Sequence, residues 1–158
     1  MITLTPQGRS LLKRVCKAIT RDAKSFDMGD WFSYSPDAKC GTAACIAGHV
    51  VLQAGFKPPV RYSSVWYRMP SNLVERAKTI FQRVRRARMK AFGHGEVGVS
   101  NLAAELLTGH YRADLDGLFL TSNWPPPFGS QYYAAAGDET KQAEIAVRRI
   151  KHLLETGK

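Results

Sequence analysis

The sequence predicts a mainly α-helical fold: a compact single-domain helical bundle around a buried small-residue central helix, with a short β-hairpin at 60–68. Three observations lead there. Apolar residues recur at helical spacing near both ends of the sequence. A run at 43–54 is apolar on almost every side, as a helix enclosed by its neighbours would be. The 158 residues, 44% of them hydrophobic, are the size of one domain, 1–158. No internal repeat, low-complexity tract or linker interrupts it, since WPPPFG is too short to separate domains.

Each element follows from local chemistry. In TPQGRSLLKRVCKAITRDAKSF, Thr5 suits an N-cap and Pro6 the first helical position, where a missing N–H costs nothing. Leu11, Leu12, Val15, Ile19, Ala23 and Phe26 share the inward side of that helix. Arg9, Lys13, Arg14, Lys17, Arg21 and Lys24 share the opposite side, with no acid among them. Residues 27–41 carry Gly, Pro, Ser and Asp without a period and read as a loop anchored by Trp31, Phe32 and Tyr34. Thr42 then caps the central helix, which runs to Gln53 or Ala54 and is closed by Gly55. Within it Ala43, Ala44, Ala47 and Gly48 let neighbours come close.

Further along, VRY and VWYR flank Ser63 and Ser64 as the two arms of the hairpin. Ser71 caps a long basic helix with Leu73, Ala77, Ile80, Phe81, Val84 and Ala91 inward, ended by Gly93 and Gly95. Ser100 caps a short helix to Leu107 that stops at Gly109, another short helix lies at 113–119, and TSNWPPPFGSQYY reads as a loop. The last helix starts after Asp138 and turns Ile145, Ala146, Ile150, Leu153 and Leu154 inward.

The stretch CGTAACIAGH at 40–49 admits three chemistries. Cys40 or Cys45 could be the nucleophile of a small cysteine-dependent hydrolase, because a thiol near a helix N-terminus beside an imidazole is shifted toward thiolate. His49 is the nearest imidazole in sequence, and such enzymes draw their base from elsewhere in the fold, here His94, His110 or His152. Alternatively, Cys40, Cys45 and His49 offer three ligands to zinc, but the tight C-x2-C turn usual in structural sites is absent and a fourth ligand must be imported. The third reading is packing: Cys45 acts as a small hydrophobe, and His49 and Gln53 satisfy backbone carbonyls or loop acids. The apolar circumference favours this one, so no metal and no cofactor is expected.

Charge points elsewhere. Lys and Arg outnumber Asp and Glu by 23 to 13, a net charge of +10 that favours an anionic partner. Arg76, Lys78, Arg83, Arg85, Arg86, Arg88 and Lys90 crowd the second basic helix, and Arg88 breaks into its apolar stripe, so either the helix leaves the core before this point or Arg88 has an acidic partner or ligand. Tyr62 and Trp66, near Arg61 and Arg68, add rings that can stack on bases. The anionic-partner contacts expected are Arg9, Lys13, Lys17, Arg83, Arg85, Arg86 and Arg88, with nucleic acid, a nucleotide or an acidic protein face as the partner. The competing reading treats these runs as solvated helix faces. The P-loop, GxGxxG, HExxH and GxSxG signatures are missing, as are RNP aromatics, a GxxG loop, a zinc finger and a compact helix-turn-helix. GHGEVG at 93–98 places His94 beside Glu96 and reads as a catalytic loop or, more simply, a connector.

Three cysteines cannot all pair, the N-terminal MITLTPQGRS has no signal-peptide pattern, and no stretch reaches the ~18 apolar residues of a membrane span. A cytoplasmic protein without a membrane contact is expected.

The segment WFSYSPDAKCGTAACIAGHVVLQAG resembles a group of small bacterial and phage proteins of unknown function that share a tryptophan, a CGTxxCIAGH-type helix and a downstream LAAELL-like segment. The likeness covers residues 31–55 closely and 100–128 loosely, and leaves out the hairpin and the arginine-rich helix. It implies a phage or mobile-element accessory protein, a host-defence antagonist among the options, and brings no reaction with it. The sequence as a whole therefore predicts a binding protein that uses a cationic surface.

Overall fold

The computed structural model describes residues 2–29, 33–34, 37, 42–56, 66–68, 96–110 and 115–158. Over these residues the protein is mainly helical. Its first helix, α1 (Pro6–Arg21), starts where its caps predict: the Thr5 hydroxyl accepts the Gly8 N–H at 2.9 Å, and Pro6 takes the first position. Leu11, Leu12, Val15, Cys16 and Ile19 are buried along one side. The helix stops at Arg21, short of the predicted stripe. Ala23–Ser25 form a 3-10 turn and Phe26 makes a parallel bridge to Ala44.

Two short antiparallel pairs accompany the helices among the described residues. Ser33–Tyr34 (β1) pairs with Thr42–Ala43 (β2), in the register Ser33↔Ala43 and Tyr34↔Thr42. Thr42 is therefore in a strand and is not the cap of the central helix. That role falls to Cys45, and the helix, α2, runs from Ile46 to Gln53. Its far end is a Schellman closure: Gly55, at φ +95°, gives its N–H to Leu52, and the buried Phe56 gives its N–H to Val51. Every residue from Ala43 to Val51 is buried, as the apolar circumference predicts.

Trp66–Arg68 (β3) is the second strand-forming stretch. It lies in the later arm of the predicted hairpin and pairs with Glu96–Gly98 (β4), Tyr67 opposite Val97. The other arm, 60–62, with the turn at 63–64 and the predicted basic helix from Ser71, lies outside the described residues. The second half of GHGEVG is thus strand, and it leads straight into α3 (Val99–Thr108), which begins one residue before the predicted cap and ends at Gly109, φ +74°.

The C-terminal part holds α4 (Asp116–Phe119), a 3-10 turn at Thr121–Asn123, α5 (Phe128–Ala134) and α6 (Glu139–Thr156). The predicted loop TSNWPPPFGSQYY is corrected here, since α5 occupies its second half. Gly129 makes that helix possible in this place: a Cβ there would stand 3.2 Å from the Thr121 carbonyl and 3.3 Å from that of Trp124. Asp138 caps α6 through the Lys141 N–H, and Gly157, at φ +73°, ends it.

The core gathers around α2, which packs on α1, α3 and α4, while α6 covers α1 and α5. The tightest contact is between α1 and α3. The Leu107 carbonyl accepts both the N–H and the hydroxyl of Thr5, at 3.0 and 3.2 Å. One turn on, a Cβ at Gly8 would lie 2.0 Å from that same oxygen. Gly8→Ala gains about 1 kcal/mol of helix propensity but forces two backbones apart. The expected net result is a loss of about 2 kcal/mol or more in urea unfolding. Ser10→Ala, on the exposed side, should leave stability within about 0.5 kcal/mol. Equal stability of Gly8→Ala and the parent would contradict the contact.

Candidate functional site

The outward side of α1 is the most distinctive surface feature among the described residues. Arg9, Ser10, Lys13, Arg14, Lys17, Thr20 and Arg21 are all exposed, α1 itself contains no carboxylate, and the half-buried Asp22 and exposed Lys24 follow its last turn. Their cations do different work. Arg9 donates to the Leu154 carbonyl in the last turn of α6. Arg14 reaches the Gln53 carbonyl at the end of α2, at 3.4 Å. Carbonyls in a last helical turn have no partner within their own helix, so both guanidinium groups cap the C-terminal ends of neighbouring helices. Between and beyond them, Lys13, Lys17 and Arg21 follow one row at four-residue spacing.

The CGTAACIAGH stretch, in contrast, is sealed where it is described. Cys45 is 2% exposed and accepts the Gly48 N–H at 3.5 Å. Burial pushes its thiol up to about 11, although the N–H groups of Gly48 and Ala47 pull the other way; the Asp27 carboxylate adds to the rise. Desolvation therefore outweighs the helix terminus, and the sulfur is a protonated thiol at neutral pH. Cys16 is similar, raised to about 11 by burial against the pull of Lys151.

His49 is 4% exposed. Its Nε2 lies 2.8 Å from the Ser25 carbonyl, which can only accept, so Nε2 carries the proton. Nδ1 is buried and meets no hydrogen-bond partner among the described residues. The ring stacks at 6.4 Å on Phe26, which meets Tyr132 edge-on, and Tyr132 in turn meets Trp124. Burial raises the Tyr132 phenol to about 12, against a backbone hydrogen bond at Met28. Trp124 donates to the Leu118 carbonyl at 3.0 Å. The cluster thus consists of neutral polar groups locked among rings.

Two charged residues among those described, Glu105 and Arg149, are buried although the sequence analysis named neither as a core residue. Arg149, 1% exposed, donates from Nε and Nη2 to the Gly117 carbonyl, at 3.1 and 2.6 Å, and from Nη1 to the backbone oxygen of Lys158, at 2.8 Å. Burial lowers its pKa. Its position was visible in the pattern, because it lies four residues from both Ile145 and Leu153 in the inward row of α6. Glu105, in LAAELL, is buried on α3 without any comparable signal.

The structure brings Arg9, Lys13 and Lys17 to one face and places Cys45 and His49 in the interior. Trp66 opens β3. Cys40, Tyr62, Arg83, Arg85, Arg86 and Arg88 lie outside the described residues, as does His94. Among the described residues, no group of three or more His, Cys, Asp or Glu residues could hold a metal, and no helix is long and apolar enough to cross a membrane. Comparisons with protein-family models, curated proteins and solved structures found no match to this sequence.

The buried imidazole makes stability depend on pH. Burial holds its pKa below the ordinary 6.5, against smaller opposing effects of the Ser25 carbonyl and Asp22. Below about pH 6.5 the unfolded protein takes up a proton that the folded protein refuses, so stability is intact above that pH and falls as pH drops. Urea unfolding between pH 7.5 and 5 should show this loss, with a slope of up to about 1.4 kcal/mol per pH unit from this one group. His49→Gln, which keeps a donor for Ser25, should flatten it. An unchanged slope in that variant would assign the effect elsewhere.

Proposed function

We propose that this protein acts by binding an anionic partner through the outward side of α1, in a cytoplasmic setting. The observation that carries this reading is the row Lys13–Lys17–Arg21, exposed on a helix that has no carboxylate of its own. A solvated helix face that served only solubility would gain from interspersed acids, because opposite charges one turn apart stabilise a helix and like charges oppose it. The crowded cations along one side of α1 repel one another, and an anionic partner relieves that repulsion. Arg9 and Arg14 border the row and hold the ends of α6 and α2, so the face is mounted on fixed neighbours.

The reading as a cysteine hydrolase gains no support at Cys45, whose thiol is enclosed and protonated. The resemblance read in residues 31–55 to small bacterial and phage proteins of unknown function favours an accessory role, in which a basic face meets a host component.

Retention on an immobilised sulfated polysaccharide tests the proposal. Lys13→Glu/Lys17→Glu should elute at markedly lower salt than the parent. Lys141→Glu/Lys158→Glu, which makes the same change of net charge at the start of α6 and at the C-terminus, should elute close to the parent. Equal loss in both variants would show that net charge alone governs retention and would remove the assignment to α1.

A further inference from the structure

The chemistry of the α1 face selects among anionic partners. We infer that it binds the phosphodiester backbone of duplex nucleic acid, without reading base sequence; this rests on α1 being the binding face.

Three features support that choice. The face is the outside of a helix and therefore convex, whereas a free nucleotide is held in a concave site by converging polar groups. It also carries no aromatic or aliphatic anchor of the kind on which most protein interfaces centre, and those interfaces are depleted in the lysine that this face presents. Here the exposed residues are Gln7, Arg9, Ser10, Lys13, Arg14, Lys17, Thr20, Arg21 and Lys24, with no apolar residue among them except Pro6 at the helix start. Finally, the residue types match phosphate contacts, which come from Lys, Arg, Ser and Thr. Ser10 and Thr20 place hydroxyls near either end of the lysine row.

Spacing agrees with these features. Successive members of the row rise by about 6 Å, so Lys13 to Arg21 spans about 12 Å. Duplex DNA presents one charge per about 1.7 Å of its axis, and a cation row of that length always has phosphates within reach, whatever the sequence. Contacts limited to phosphates position a protein and carry no sequence information.

The test uses the full-length protein and fluorescence anisotropy with two labelled 20-base-pair DNA duplexes of unrelated sequence, and with labelled polyglutamate. Both duplexes should bind equally. The slope of log affinity against log salt should be about −3, as three to four neutralised phosphates give, so doubling the salt weakens binding about eightfold. Lys13→Glu/Lys17→Glu should lose at least tenfold in affinity with a circular dichroism melt no lower than the parent's. Lys13→Gln/Lys17→Gln should fall between, with a shallower slope. Polyglutamate that binds as tightly as DNA and is lost in the same variant would overturn the nucleic-acid inference while leaving α1 as an anion-binding face. Displacement of the duplex by micromolar ATP would do the same. A preference of more than tenfold between the duplexes would overturn backbone-only contact. If neither polymer binds the parent more tightly than it binds the Lys→Glu variant, the inference and the proposed function fall together.

Discussion

The backbone carbonyl of Ser25 accepts two hydrogen bonds, one from the Ala44 N–H at 2.9 Å and one from His49 Nε2 at 2.8 Å. Both of its lone pairs are engaged within the interior. The first bond joins the turn after α1 to the extended stretch before α2. The second comes from α2 itself and ties the helix back to the same atom. Removing either donor leaves a buried acceptor partly unsatisfied, at a cost of about 1–3 kcal/mol. With that junction made, the Asp27 N–H closes onto the Ala44 carbonyl at 3.1 Å and the Phe26 ring stacks, offset, beside the imidazole. The rings of Tyr132 and Trp124 then extend the cluster to the C-terminal helices.

This junction explains why residues that look reactive in sequence are interior here. A cysteine and a histidine four residues apart at a helix start suggest chemistry, yet the same spacing lets one cap the helix and the other bind the preceding turn. Three arginines make a parallel case. Arg9, Arg14 and Arg149 all donate to backbone carbonyls, the first two at the ends of α6 and α2 and the third at Gly117 in α4. Part of the protein's positive charge is thus structural, which leaves the lysines of α1 as its exposed and uncommitted share of the row. Inside and outside are coupled, because the C-terminal end of α1 leads directly into the turn that Ser25 belongs to.

How much of this was legible depended on whether the signal was local. Thr5, Pro6, Asp138, Gly55 and Gly109 act on their own helix, so the pattern around them placed the starts of α1 and α6 and the ends of α2 and α3 well. The start of α2 was misplaced because Thr42 is a good cap in isolation, whereas pairing with β1 holds it extended and leaves the weaker capper, Cys45, to begin the helix. The helix α5 was hidden by three prolines and a glycine whose use is a close approach to another turn. Gly8 gave no sign of its contact, since Leu107 is far along the sequence and the reason for a glycine lies entirely in that neighbour. His49 was legible as a residue that satisfies a carbonyl, but not which carbonyl. The α1 part of the cationic surface was visible in the sequence; that two of its arginines are caps was not.

The helix start within CGTAACIAGH is interior scaffold, and the Cys45 thiol reports on this directly. Alkylation should be followed at pH 7.5 by peptide mapping, across urea concentrations below the unfolding transition. Cys45 should react only through global opening, with a rate that rises with urea in step with the unfolding equilibrium and disappears into background in its absence. Rapid alkylation of Cys45 without urea, indifferent to stability, would mean that the sulfur faces an open site and that the junction at Ser25 does not seal it.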